Sequence, residues 1–168
     1  MLERTENRSA VSPEEYRDAM SNFAGAVSIA ATDGVAGRRG LTVAAAVSVS
    51  DDPPTVLICL NRNWSDNLMF EQNGCFSLNT LRTSQIDLAR AFAGEGDMSM
   101  ESRFALGKWY ELHTGAPILN SARTAIDCEV IDVQSVHTHY VVFGRVVACA
   151  PSTAGPALIY LDRDYREL

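Results

Sequence analysis

Residues 40–62 read GLTVAAAVSVSDDPPTVLICLNR, and this stretch decides the fold. At period two, Leu41, Val43, Ala45, Val47 and Val49 share one face, while Thr42, Ala44, Ala46, Ser48 and Ser50 share the other. The first reads as an ordinary core face. The second carries only methyls and hydroxyls, which makes a shallow, flat surface edged with hydrogen-bonding groups. A second apolar strand over 55–60 follows the break at Asp51-Asp52-Pro53-Pro54, where proline cannot donate to a ladder. It runs out in a polar exit, Cys59-Leu60-Asn61-Arg62. A flat shelf beside a polar rim suits a planar, phosphorylated cofactor.

Upstream, Ser12-Pro13-Glu14-Glu15 is a helix start, with a serine cap, proline in the first turn and a capping box closed by Glu15. Tyr16, Ala19, Met20 and Phe23 continue at helical spacing until Gly25. Residues 1–11 read as a loose tail and 12–168 as one domain. A strand is expected over 26–32, then a turn at Asp33-Gly34 and a glycine-rich connection into the opening strand. Downstream, a short helix over 65–72 is expected to be capped by Asn63 or Ser65 and closed by Asn73-Gly74. A strand over 75–81 and a helix over 84–92 capped by Ser84 come next, then a short helix near 100–105. Strands over 124–133, 138–150 and 157–161 complete the pattern. Many short alternating strands with peripheral helices predict a mainly β, small antiparallel barrel, since central parallel strands read as continuous apolar runs.

The chain has 168 residues, 46% of them hydrophobic and 21% charged, a composition that suits a globular domain able to bury its own core. A net charge of -7 argues against nucleic acid or an anionic membrane as partner. Apolar runs are too short to span a bilayer and no apolar leader opens the chain, so the cytoplasm is the expected compartment. Cys59, Cys75, Cys128 and Cys149 are widely spaced beside apolar runs and read as buried, reduced thiols.

Several chemistries lack their motifs. Gly34, Gly37 and Gly40 do not form a G-x-G-x-x-G and lead into a strand, so they read as a hairpin loop. His137 and His139, two apart in a predicted strand, would share a face, but no third ligand has compatible spacing, so no metal is expected. No serine sits in a nucleophile motif with a base and an orienting acid. The lack of an acid, base, nucleophile or metal fits chemistry carried by a cofactor.

Six segments in order carry a resemblance. They are YRDAMSNFAGAV, the 40–62 block, FSLNTL, LARAFAG, the Arg103 to Trp109 segment and THYVVFGRV. With them the chain resembles the short-chain flavin reductases, which include the reductase components of two-component flavin monooxygenases. It looks nearest to the 4-hydroxyphenylacetate monooxygenase reductase, pyrimidine-utilisation flavin reductase, corrinoid reductase and bacterial ferric reductase subgroups. The shared blocks do not separate these.

The resemblance implies a homodimeric, antiparallel Greek-key split β-barrel that binds FMN or FAD non-covalently and oxidises NADH or NADPH. It lays Thr42, Val43, Ala44 and Ala45 along the isoalloxazine and sets Ser48, Val49 and Ser50 at its edge. Cys59, Leu60, Asn61 and Arg62 would approach the ribityl chain and phosphate, with Ser65 and Asn67 at a helix start beside them. Phe92, Ala93 and Gly94 match the segment that closes over the flavin. His139 matches the residue that positions the nicotinamide, and Arg163, Asp164, Tyr165 and Arg166 match a segment near the same nucleotide. The implied reaction is hydride transfer from nicotinamide C4 to flavin N5, with reduced flavin released to a flavin-dependent monooxygenase or electrons passed to ferric iron. A corrinoid reductase with resident flavin, and a non-enzymatic flavin-binding module, are the alternative readings.

Overall fold

A computed structural model describes residues 11–168; the expected N-terminal tail therefore lies, apart from Val11, outside the described residues. Helix α1 (Pro13–Met20) starts as expected, with Ser12 as cap and Glu15 closing the box. It ends at Met20 rather than running on to Gly25, and it buries none of its side chains. Strands β1 (Gly25–Ala26), β2 (Ser28–Thr32), β3 (Arg39–Val43), β4 (Ala46–Asp51) and β5 (Pro54–Asn61) follow. Then come α2 (Met69–Asn73), β6 (Cys75–Thr80), α3 (Ile86–Ala93) and α4 (Met100–Phe104). The chain closes with β7 (Trp109–Tyr110), β8 (Ile118–Leu119), β9 (Thr124–Val136), β10 (His139–Cys149), β11 (Leu158–Leu161) and β12 (Asp164–Glu167).

The run over 40–50, expected as one strand, is two, β3 and β4, separated by a corner at Ala44 and Ala45. That corner closes the fold. The main sheet runs β3-β2-β6-β9-β10-β5-β4, so the two strands joined by the corner occupy its opposite edges. The corner brings those edges together, and the Cys59 N–H donates to the Ala45 carbonyl at 3.1 Å. All its strand pairs are antiparallel, and register shifts in the long β9–β10 pair bend the sheet. The expected antiparallel split barrel is what the chain forms. A second sheet, β1-β11-β12, sits beside it, joined through Val27, whose N–H donates to the Leu158 carbonyl at 3.0 Å.

Strand alternation divides the core in two. Ala30, Val43, Ile58, Leu60, Phe70, Phe76 and Val142 pack together in one cluster. Ile29, Leu81, Phe92, Phe104, Ile118 and Leu158 form a second one with α3 and α4. In β2, Ile29 and Ala31 point into one cluster and Ala30 into the other, and all five residues are buried. Gly40 is required where these layers touch: a Cβ there would lie 2.5 Å from the Phe92 ring. Buried Asp127 is satisfied by the His113 and Thr114 N–H groups, at 2.7 and 2.8 Å, and pins their loop to β9.

Several local expectations change. The turn before α2 is capped at Trp64, without a side-chain hydrogen bond from Asn63 or Ser65. Helix α3 is led in by a tight turn in which the Gln85 side chain accepts from the Arg82 N–H at 2.8 Å, replacing Ser84 as the cap. Cys75 and Cys128 are buried, but Cys149 is exposed. His137 sits in the β9–β10 turn at φ 48°, so it does not share a strand face with His139.

Candidate active site

Two clefts meet at the corner. The first, about 500 Å³, has Thr42 and Ala44 beneath, Arg90, Ala93 and Glu95 from α3 and its C-terminal loop, and Tyr160, Arg163, Asp164 and Tyr165 from β11–β12. The second, about 540 Å³, is a mostly apolar groove along Ala44, Ala45, Ala46 and Val47, walled by Met20, Phe23, Leu57 and Cys59. Ala44 and Tyr160 belong to both. A charged cleft therefore opens directly onto an alanine shelf.

The shelf is narrower than the sequence suggests. Thr42 donates its hydroxyl to the Ala89 carbonyl at 2.6 Å, tying β3 to α3, so it presents its methyl rather than its hydroxyl. Val43 and Leu60 turn their side chains into the core and can offer only backbone. Ser48, Val49 and Ser50 lie beyond the corner on the edge strand and line neither cleft. Val47 and Val49, expected in the core, are 58% and 48% exposed. The corner interrupts the period, and no element of the described chain covers the outer face of β4.

The polar exit forms a separate cluster. The Asn67 side chain donates to the Asn61 carbonyl at 2.9 Å and accepts from Arg39 Nε at 3.2 Å, so this buried amide is a brace. Arg62 donates from its backbone to the Thr138 carbonyl and from its guanidinium to the His137 carbonyl, both at 3.0 Å. That guanidinium also lies 5.3 Å from the Tyr140 ring centroid. Ser65 is exposed beside the cluster. His139 pairs across the ladder with Asn61, and its Nδ1 lies 2.8 Å from the Thr138 hydroxyl. His139 thus sits by the polar exit and lines neither cleft, whereas Arg163, Asp164 and Tyr165 line the charged one. The nucleotide set expected from sequence is split within the chain. Arg166 is held by Asp162 at 3.2 Å.

Phe92 also departs from its expected place. It is buried between Phe104 and Trp109, with centroids at 5.1 and 5.8 Å, and only Ala93 and Gly94 are exposed. The electrostatics distinguish the two regions. Burial, then the Glu95 and Tyr160 charges, raises the Tyr165 phenol against a smaller opposite pull from Arg90. Burial raises Cys59, keeping a neutral thiol on the groove wall. Burial lowers Arg39, with Arg103 adding to that and Asp66 opposing it.

Residues 20–168 match the family described as flavin reductase like domain. The FMN reductase (NADH) RutF of Pseudomonas syringae pv. syringae is 44% identical over 95% of this chain and 89% of its own length. FMN reductase (NADH) RutF 2 of Methylorubrum extorquens is 45% identical over 95% and 91% respectively. A crystal structure of a candidate flavin reductase from Haemophilus somnus superposes with a TM-score of 0.89 at 37% identity, covering 94% of this chain and all of that one.

This chain belongs to the flavin reductase-like family.

Membership bears out the enzyme class drawn from the sequence landmarks, an NAD(P)H-dependent flavin oxidoreductase. Among the described residues, no helix of this family member is long and apolar enough to cross a membrane. Met20, Phe23, Arg90, Glu95 and Tyr160 line the clefts but were not singled out from sequence as site residues. Arg90 lies within the LARAFAG landmark, and in α3 it is exposed while Leu88, Ala89, Ala91 and Phe92 are buried. Tyr160 and Met20 carried no such signal, because they reach the site only through the second sheet and α1.

Proposed function

We propose that this chain is an NADH-dependent FMN reductase acting as a homodimer and releasing reduced flavin to a flavin-dependent monooxygenase. The observation that carries the reading is the junction itself: an apolar alanine shelf and a charged cleft sharing Ala44 and Tyr160. A flat ring needs methyl-sized neighbours to approach a backbone closely, and Ala44, Ala45 and Ala46 meet that need. When bound, the flavin would supply N5 as the acceptor of the nicotinamide hydride. The chain's own work is to bind, orient and exclude water, so proximity carries most of the acceleration. Thr42 keeps the shelf registered on α3 through its bond to Ala89. Asn61, Arg62 and Ser65 form the polar end for the ribityl chain and phosphate, braced by Asn67.

The split between His139 and the Arg163 to Arg166 segment supports a homodimer, in which His139 of a second copy serves the charged cleft. So does the uncovered apolar surface: Phe23 and Val47, which line the same groove, are 69% and 58% exposed. Four free cysteines and a nicotinamide co-substrate suit the reducing cytoplasm.

The test is steady-state NADH oxidation with FMN, alongside light scattering after gel filtration. Turnover by a dimer is expected. His139→Ala should raise KM for NADH about tenfold while leaving FMN affinity within a factor of about two. Equal small effects on both ligands would remove His139 from the nucleotide, and a monomer with full activity would remove the second copy.

A further inference from the structure

Arg163 occupies an unfavourable backbone conformation. The two-residue turn between β11 and β12 holds Asp162 at φ 53° and Arg163 at φ 61°, where hairpins ordinarily place Asn-Gly or another glycine pair. Non-glycine residues persist in such geometry when the surroundings over-determine them, and such positions gather at ligand sites. Asp162 has structural work: its N–H donates to the Ser21 carbonyl at 2.8 Å and its carboxylate holds Arg166. The Arg163 side chain, by contrast, lines the charged cleft, and its ion-pair partner is exposed Asp18.

Arg90 reaches the same cleft from α3. Its carboxylate partner, Glu95, stands at 4.0 Å, the loose limit of an ion pair, and both side chains are about half exposed or more. Exposed pairs of this kind contribute little and exchange readily. Two arginines from separate elements thus line one cleft, each paired with an exposed carboxylate that a stronger anion can replace. Arginine forks match phosphate oxygens in a bidentate manner. Tyr160 and Tyr165, edge to face with centroids at 5.4 Å, add an aromatic wall to the same cleft.

We propose that Arg90 and Arg163 form the seat for the diphosphate of the nicotinamide dinucleotide, with Glu95 as an internal competitor for Arg90. The proposal rests on the reductase reading above. The flavin phosphate is the other source of the same chemistry, but Asn61 and Arg62 lie outside this cleft, at the separate polar exit. Glu95 and Asp164 offset the two arginines, so the cleft carries no net positive charge among these four. That suits a co-substrate that must leave each cycle.

The experiment uses the full chain, with NADH varied at saturating FMN and FMN binding followed by flavin fluorescence. Arg90→Ala should raise KM for NADH roughly ten- to a hundredfold, with kcat and FMN affinity nearly unchanged. Arg90→Lys should recover part of the loss, since it keeps the charge without the fork. Glu95→Gln should shift KM the other way, down by about two- to fivefold, a direction that structural damage does not produce. An Arg90→Ala variant with unaltered KM for NADH overturns the proposal, and so does one that loses FMN in step with NADH. Wild-type chain inert towards NADH overturns the reductase reading as well, whereas active wild type with an unaffected variant overturns the diphosphate seat alone.

Discussion

Strands β3 and β4 are two halves of one apolar run, separated by Ala44 and Ala45 and opposite in fate. In β3, Gly40 lies under the Phe92 and Phe104 rings, Val43 is 5% exposed, and Thr42 is bonded to α3. In β4, Val47 and Val49 are 58% and 48% exposed. Their pattern is the same, and only the cover differs. Helices α3 and α4 lie against β3, while Val47 and Val49 of β4 stay about half exposed. Apolar alternation therefore states that a face wants burial, but not whether the burying surface belongs to the same molecule. The site sits at the hinge between these fates, where the corner at Ala44 and Ala45 leaves small side chains uncovered.

The contrast can be broken or sharpened by substitution. The largest effect belongs to Gly40→Ala, whose Cβ would stand 2.5 Å from one Phe92 ring atom and 2.9 Å from another. Overpacking there should cost about 1–3 kcal/mol in urea unfolding, and a cost near zero would mean the ring moves freely. Next is Thr42→Val, which removes the 2.6 Å bond to Ala89. A loss of about 1 kcal/mol is expected, with a looser grip on flavin because the shelf loses its register on α3. The smallest effect on protomer stability is expected for Val47→Ser with Val49→Ser, within about 0.5 kcal/mol for each exposed site. The same pair should move the protein towards monomer in light scattering. If it instead unfolds the chain as readily as Gly40→Ala, β4 is covered within the protomer and the contrast disappears.

Much of the fold was legible in the sequence because the signals were local. The Ser12 and Glu15 capping box, the Asp51 to Pro54 break and the apolar run over 55–60 each depend on a few neighbours. The candidate site was legible through its landmarks but not in its detail. Phe92 reads equally well as a lid or a core ring, and the choice depended on Phe104 and Trp109, which pack on it from the following segments. Asn67 at a helix start suggests a ligand, yet its amide is occupied by Asn61 and Arg39. Strand β12 has no apolar alternation over Asp164 to Glu167 to announce it, and it forms by pairing with β11.

By itself the sequence determined that 40–62 would supply small, flat backbone beside a polar exit, and that the chain would close as an antiparallel barrel. Local periodicity and turn chemistry suffice for both. Only the tertiary structure decided where the run bends, which valines stay uncovered, and that Arg90 and Arg163 share a cleft while His139 stands elsewhere. Those facts arise from contacts between residues far apart in the chain. No window along it contains them.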